Sequence, residues 1–360
     1  MQAAVSDPVR PLRPRVGRVL DRHLQQQRAV LGAQSPHLLP LLDAAADLLA
    51  GGKRLRPAFC YWGWRGTGSA DDDAIVNAAA SLEFFQAAAL IHDDLIDDSD
   101  TRRGMPSVHR RFATIHERSG WQGDPSQFGN AAALLLGDLC LGWSDELLNS
   151  SGLSDAALRR GRPVFERMRT ELIGGQFLDI LEQASGAQEP VGQAARARDV
   201  IRHKSAKYSV EHPLLLGGLL AGGSEELLAS YSAYGLPLGE AFQLRDDVLG
   251  VFGDPRQTGK PAGDDLRDGK RTVLVAYARE RASAGQAAVL DKFLGDRSLD
   301  AEALADLREI IVDTGALQRV ERLVDDLVAT ATSALAVAPV VPDTRAALAE
   351  LIITATVRVH

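Results

Sequence analysis

Ala87-Ala88-Ala89-Leu90-Ile91-His92-Asp93-Asp94-Leu95-Ile96-Asp97-Asp98-Ser99-Asp100-Thr101-Arg102-Arg103-Gly104 carries five aspartates within eight residues, after an apolar run and just before two arginines. On a helix, residues four apart share a face, so Asp93 aligns with Asp97 and Asp94 with Asp98. Carboxylates stacked this closely repel by about 3–4 kcal/mol per close pair at an effective dielectric near 20. One reading is a solvated acidic loop. The other is an oxygen-ligand site for a divalent cation, to which magnesium is suited because it keeps waters and bridges to phosphates. Arg102 and Arg103 suit the second reading, since guanidinium forks match phosphate oxygens.

Working outward, the helix that delivers this stretch is expected over residues 74–98, Ala-rich and capped by Asp72 or Asp73. Its carboxylates then meet the unfavourable end of the helix dipole, a cost more easily accepted at a functional site than on a neutral surface. Helices are expected upstream over 16–31, 36–49 and 58–64. Between the last two lies Gly51-Gly52-Lys53-Arg54-Leu55-Arg56-Pro57, two glycines with three cations. It reads either as a phosphate site or as a helix C-cap with cations at the negative end. Downstream, residues 119–127 read as a loop, 131–148 and 153–180 as helices, and 184–192 as a linker. Further helices are expected over 196–211 and 227–251, the second disturbed at Pro237. Gln176 and Asp179 share a face and read as a buried hydrogen-bonding pair. The second acidic stretch is Phe242-Gln243-Leu244-Arg245-Asp246-Asp247, with Gln243 on the face of both aspartates. A loop rich in Gly and Lys follows, and residues 273–358 are helical again, with a break at Pro339 and Pro342.

The 360 residues are 45% hydrophobic and 24% charged, an ordinary globular composition. A net charge of −8 argues against a nucleic-acid partner. No run of eighteen apolar residues is present, so no membrane span is expected. Residues 1–15 are rich in Pro and Arg, lack a signal-peptide core and read as a flexible arm. Cys60 and Cys140 make neither a metal spacing nor a disulfide framework, which points to a reduced, cytoplasmic setting. Apolar spacing stays near 3.6 and no strand ladder stands out. The expected architecture is all-α: a single-domain helical bundle over residues 1–360 around a central apolar cavity. No composition shift marks a boundary within it. If the two aspartate pairs cooperate, they must face each other across the bundle core.

No nucleophilic triad, Walker loop or zinc-spaced histidine pair occurs. His92 is expected to pack beside the site, and His109, His203 and His212 to be structural. The two acidic pairs together with Lys53, Arg56, Arg102, Arg103, Lys204, Lys260 and Lys270 read as an acidic metal site ringed by phosphate-binding cations. Its chemistry is electrostatic: charge holds a diphosphate and stabilises it as a leaving group. If the organic part is allylic, an apolar cavity shields the resulting cation from water.

Five motifs occur in order: GGKRLRP at 51–57, DDLID then RRG at 93–104, GQFLD at 175–179, KSAKY at 204–208, and FQLRDD…GD…GK…GDD at 242–265. In this order they resemble the trans-isoprenyl diphosphate synthases, the polyprenyl synthetases, and among them the geranylgeranyl diphosphate synthases. The resemblance covers about residues 51–272, and the later helices fit in length. It implies a magnesium-dependent prenyltransferase that condenses isopentenyl diphosphate with an allylic diphosphate, using three ions that manganese can replace. It implies that Asp93, Asp97 and Asp246 ligate metal, with Asp94 and Asp247 in support. Arg102, Lys204, Lys260 and Lys270 would hold the allylic diphosphate. Lys53, Arg56, Arg103 and Gln86 would hold isopentenyl diphosphate. Ser205 and Gln243 would steady the allylic cation, and the released diphosphate would remove the final proton. A homodimer is implied as well.

Two positions depart from the pattern. Gly250 stands where the second motif carries its third aspartate, leaving Asp246 and Asp247, with Asp254 as a further candidate. Gln86 stands where histidine is frequent, and its amide can still donate to a diphosphate. Two rival readings remain. A class I terpene cyclase would have no use for a second diphosphate site at Lys53 and Arg56. A non-catalytic partner subunit should have lost the first aspartate motif, which is intact here. Product length is expected to be set on the helix before Asp93. The fifth and fourth positions before Asp93 are Ala88 and Ala89, too small to stop the chain, whereas Phe85 lies one turn earlier with Phe84 beside it. That arrangement favours the twenty-carbon product.

Overall fold

The computed structural model describes residues 7–185, 192–253 and 263–356. The fold is all-α: among the described residues the regular structure is helical save for one small hairpin. Contacts divide the chain into two compact units, residues 1–161 with 217–222, and residues 162–216 with 223–360.

In the first unit, α1 (Arg13–Gln34), α2 (Leu39–Ala50), α3 (Leu55–Gly66), α5 (Val108–Arg118) and α6 (Pro125–Asn149) all pack on α4 (Asp73–Ile96). Helix α4 begins where its cap chemistry dictates, with the Asp72 carboxylate accepting from the Ala74 amide at 2.8 Å. Its alanines let neighbours approach closely: Ala78, Ala79, Ala80, Ala87 and Ala88 are all buried. By length and mean hydropathy α4 could cross a membrane, contrary to the expectation from apolar runs, yet 78% of that window is buried inside the protein. It is a core helix. Helix α6 meets α4 through a buried bond from Ser144 Oγ to the Ser81 carbonyl, 2.7 Å. The N-terminal arm is fixed sooner than expected. Val9 and Leu12 are buried and Trp62 Nε1 donates to the Pro8 carbonyl at 3.3 Å.

Immediately after α4 the chain makes a hairpin that periodicity did not reveal. Strand β1 (Thr101–Arg102) pairs antiparallel with β2 (Met105–Pro106). The turn residues Arg103 and Gly104 both have positive φ, 55° and 75°, the signature of a type I′ turn. Two-residue strands are too short to leave an alternating pattern.

In the second unit, α7 (Asp155–Ser185, from residue 162 onward), α8 (Gln193–Val200) and α10 (Glu225–Phe252) surround Ile201–Glu211. That segment was expected as ordinary helix and is instead a π-helix, followed by α9 (His212–Ala221). A π-helix is wider than an α-helix and is rarely longer than a bulge. Here three glycines make room for it. A Cβ on Gly175 of α7 would lie 2.3 Å from the Lys204 nitrogen. On α10, a Cβ at Gly239 would lie 2.5 Å from the Ala206 carbonyl oxygen, and one at Gly235 2.9 Å from the Glu211 Cα. Helix α10 runs unbroken through Pro237, where a disturbance was expected. The remaining helices, Val273–Arg281, Ala284–Phe293, Ala301–Asp313 and Ala316–Val337, close an apolar core with Leu244, Val248 and Val251 of α10. Pro342–Thr356 follows the expected break, and the Tyr234 hydroxyl ties α10 to it by donating to the Leu348 carbonyl at 2.8 Å.

The glycine notches give a paired test. Gly175→Ala should lower the unfolding free energy by about 1–3 kcal/mol through overpacking. A Cβ on Gly174 would meet nothing within 4 Å. Gly174→Ala should therefore be neutral or stabilising by up to about 1 kcal/mol. Urea denaturation of both variants checks this, and equal effects would contradict the packing described.

Candidate active site

In the first unit, the end of α4 gathers the acidic stretch. Asp94 and Asp97 are buried, Asp93 is partly so, and Asp98 and Asp100 are exposed. Arg102 Nε donates to Asp94 Oδ1 at 2.8 Å, and its Nη2 lies 3.5 Å from Asp93 Oδ2. Burial works against the Arg102 charge, but the Asp94 hydrogen bond and the charges of Asp94, Asp93 and Asp97 raise its pKa above the ordinary value. Outside the cluster, Arg110 bridges Asp98 and Asp100 at 3.0 and 2.8 Å. The β1–β2 hairpin is thus the device that folds Arg102 back over the aspartates.

The turn residue Arg103 reaches the other way. Its Nη1 donates to the Leu48 carbonyl in the last turn of α2, 2.6 Å away. Its guanidinium lies so close that a Cβ on Gly52 would sit 3.1 Å from Nη2, and Gly52 has φ +109°. The two glycines therefore admit an arginine of the chain itself. Arg54 donates to the Leu49 carbonyl and to Glu83, and both members of that ion pair are buried. The helix-cap reading thus holds for Arg54 and Arg103. Lys53 is exposed and Arg56 intermediate, so the three clustered cations have different surroundings. Burial lowers the Arg103 pKa; Glu83 opposes this, while Arg54, Arg102 and Arg56 add to it. Arg54, Arg56 and Arg102 thus lie within electrostatic reach of Arg103, and Glu83 offsets part of their charge. The non-glycine residues of positive φ among the described ones, Arg54, Asp98 and Arg103, all lie in these two loops. Such clustering of backbone strain is a mark of functional sites.

Gln86 and Ala89 on α4 are intermediate in exposure, and Ala88 and Phe85 are buried. Phe84 is buried against His23 and Trp143, with ring centroids 4.9 and 5.8 Å away, so it belongs to the α1–α4–α6 core. His92 packs as expected, its Nε2 3.4 Å from the Leu134 carbonyl and 3.6 Å from Asp138. His109 is buried 3.6 Å from Asp98. His212 is buried too, and burial pushes its pKa down to about 4.

In the second unit, the π-helix presents Lys204 and Ser205. Lys204 Nζ donates to Asp179 of α7 at 2.6 Å. Lys207 pairs with Glu171 at 3.0 Å. Asp179 therefore serves Lys204 and not Gln176, whose Nε2 is buried without a hydrogen-bond partner among the described residues. Near the end of α10, Gln243 Nε2 donates to Asp247 Oδ1 at 2.9 Å. Burial, then the charge of Asp265, pushes the Asp247 pKa up to about 8. Gln243 and Lys270 hold it down and Asp246 adds to the rise. Lys270 Nζ is 3.5 Å from Asp265 Oδ1. Lys260 and Asp254 lie outside the described residues.

The donors of both acidic groups are carboxylate oxygens, the set that hard divalent cations take. Among the described residues no three Asp, Glu, His or Cys side chains form a ready-made cation cage. A cation at either group would complete its shell with water or substrate oxygens, as magnesium does beside phosphates.

The polyprenyl synthetase sequence profile matches residues 40–311. The chain belongs to the polyprenyl synthetase family. A geranylfarnesyl diphosphate synthase from Aeropyrum pernix is 32% identical over 76% of this chain and 79% of its own. A geranylgeranyl diphosphate synthase from Saccharolobus solfataricus is 29% identical over 73% of each. Among solved structures, geranylgeranyl pyrophosphate synthase from Corynebacterium glutamicum, complexed with isoprenyl diphosphate and magnesium, superposes with a TM-score of 0.91. It is 39% identical, with 98% of this chain and 99% of that one covered. A polyprenyl synthase from Caulobacter crescentus, complexed with calcium and isoprenyl diphosphate, gives 0.79 at 29% identity, with 99% of each covered. As a polyprenyl synthetase this chain is a prenyltransferase that elongates allylic diphosphates.

Sequence reasoning missed two parts of the site. Glu83 looked like one polar residue of an apolar helix, and its burial beside Arg54 left no local signal. Asp265 was visible only as part of a loop motif. The buried pair carries a prediction. Arg54→Ala should destabilise the protein by up to about 3–5 kcal/mol, because it removes the hydrogen-bonded partner of buried Glu83 and leaves only the more distant charge of Arg103. Thermal and urea unfolding check this. A loss below about 1 kcal/mol, the scale of an exposed ion pair, would contradict the pairing.

Proposed function

We propose that the enzyme makes geranylgeranyl diphosphate by head-to-tail addition of isopentenyl diphosphate to a shorter allylic diphosphate, with magnesium. The product length rests on α4: Ala88 and Ala89 carry small side chains beside the motif, and buried Phe85 stands one turn, about 5.4 Å, further back. That rise is comparable to one extended isoprene unit. Phe84 beside it packs on His23 and Trp143 and would back the Phe85 floor.

Asp93, Asp97 and Asp246 would hold the ions, Asp94 and Asp247 supporting them. Three magnesium ions, replaceable by manganese, would supply the positive charge that stabilises the departing diphosphate. Arg102, Lys204, Lys260 and Lys270 grip the allylic diphosphate, and Lys53, Arg56, Arg103 and Gln86 grip isopentenyl diphosphate. The allylic C–O bond breaks, a C–C bond forms to isopentenyl diphosphate, and the proton released passes to the departed diphosphate. Ser205 and Gln243 turn their oxygen dipoles toward the allylic cation, and apolar side chains exclude water from it. We assign residues 1–360 to a single catalytic domain. Cys60 and Cys140 are buried free thiols, as suits the reducing cytoplasm to which we assign the enzyme.

The α6 surface bearing Phe128, Leu134 and Leu135 is exposed in one chain. We assign it to a homodimer interface. Sedimentation velocity should give a species of two chains, and a monomer at micromolar concentration would contradict this.

Asp93→Ala and Asp246→Ala should each abolish turnover while leaving the circular dichroism spectrum intact. Full activity in excess chelator, or wild-type turnover in either variant, would overturn the metal reading. Product chromatography tests chain length. Ala88→Phe or Ala89→Phe should shorten the product to fifteen carbons, and Phe85→Ala should lengthen it. A wild-type product of fifteen carbons, or an unchanged distribution in Phe85→Ala, would overturn the reading of α4.

A further inference from the structure

Glu240 lies on α10, three residues before Gln243 and on the same face, and is only 3% exposed. Its carboxylate holds two arginines at once. Oε2 accepts from Arg198 Nη2 at 2.7 Å and from Arg198 Nε at 3.3 Å, and Oε1 accepts from Arg202 Nε at 2.7 Å. The Glu240 hydrogen bond raises the Arg202 pKa above its ordinary value, against the effect of burial. The two arginine side chains are 30% and 40% exposed, so the buried member of the cluster is the carboxylate.

The arginines straddle a structural junction. Arg198 is in the last turn of α8, and Arg202 is the second residue of the π-helix Ile201–Glu211. One carboxylate therefore joins the α-helical turn before the junction to the wide turn after it, and ties both to α10. Long π-helices are rare, so contacts from other elements must fix where this one begins. Gly239, next to Glu240, supplies a second contact: a Cβ there would lie 2.5 Å from the Ala206 carbonyl oxygen. Lys204 and Ser205 are thus bracketed from α10, by the clamp on Arg202 before them and the close approach at Ala206 after them. A slip of one residue at the junction would carry the Lys204 ammonium away from Asp179, its partner at 2.6 Å.

Stability alone does not account for a carboxylate in this place. Desolvation offsets much of the attraction in a buried ion pair, so apolar residues of similar size serve stability as well or better. The best-attested use of such a group is to fix register. We propose that Glu240 is a positioning residue: through Arg198 and Arg202 it sets the register of the π-helix that presents Lys204 to the allylic diphosphate. The proposal rests on the assignment of Lys204 to that diphosphate and adds the group that holds Lys204 in place.

The test is calorimetric titration with geranyl thiodiphosphate, an unreactive allylic analogue, in the presence of magnesium, with thermal melting to verify folding. Lys204→Ala should weaken binding about 10- to 100-fold, the loss of a charge-assisted hydrogen bond. Glu240→Met leaves no buried charge unpaired, only arginines that water can reach, and should weaken binding about 10-fold. In the Lys204→Ala background, Glu240→Met should cost no more than about twofold further, because residues that act through one another are not additive. Wild-type affinity in Glu240→Met would overturn the proposal, whatever its melting temperature. So would a further tenfold loss in the Lys204→Ala background, since the effect would then be independent of Lys204. If Glu240→Met does not fold, Glu240→Gln, with one acceptor oxygen for two arginines, decides by the same two readings. Unchanged affinity in Lys204→Ala would overturn the Lys204 assignment itself. A loss in Lys204→Ala that Glu240→Met does not share would remove only the role of Glu240.

Discussion

Repulsion between carboxylates at the negative end of α4 is the constraint on which the first unit depends. Asp93, Asp94 and Asp97 are packed into the last turn of a core helix, where the dipole opposes them. The chain answers with positive charge brought back by a tight turn. Arg102 closes on Asp94, Arg110 on Asp98 and Asp100, and the turn needs a left-handed Arg103 to do it. That same Arg103 then reaches the end of α2, over glycines that leave it room. Strain, burial and like charge are concentrated in two loops, while α1, α3 and α6 hold α4 rigid behind them. To this site we assign a divalent cation and a diphosphate, the partners that carboxylates and arginines take.

The second unit solves a different problem. Lys204 and Ser205 must be presented by a helix that also packs closely on two neighbours. The π-helix does this because Gly175, Gly235 and Gly239 let it lie against the α7 and α10 backbones. Lys204 and Lys207 then pair with Asp179 and Glu171 on α7, which fixes the position of both cations.

How much of this was legible in the sequence follows from the range of each interaction. The course of α4 was legible because its cap, its alanines and its period are local. The acidic and basic groups were legible because charge density is unusual in a core helix. The π-helix was not, since its wide turn is stabilised by glycines contributed from other helices. The division of labour among Lys53, Arg54 and Arg56 was hidden as well. A basic residue that caps α2 and an exposed one look alike until Glu83 is placed. Phe84 and Phe85 differ by one step of helix rotation and both are buried, Phe84 against the rings of His23 and Trp143. Asp265 was legible only as part of a motif, because its place beside Gly250 depends on how the turn after α10 folds back.

The account's central claim is that the protein's charges are arranged for a metal ion and a diphosphate bound together. Thermal unfolding with magnesium alone, inorganic diphosphate alone and both together tests this most directly, since a ligand that binds only the folded state raises its stability by mass action. The account predicts a marked rise in Tm with both present, little with either alone, and loss of the joint effect in Asp93→Asn. An unchanged Tm with both present, or the whole rise from magnesium alone, would contradict it.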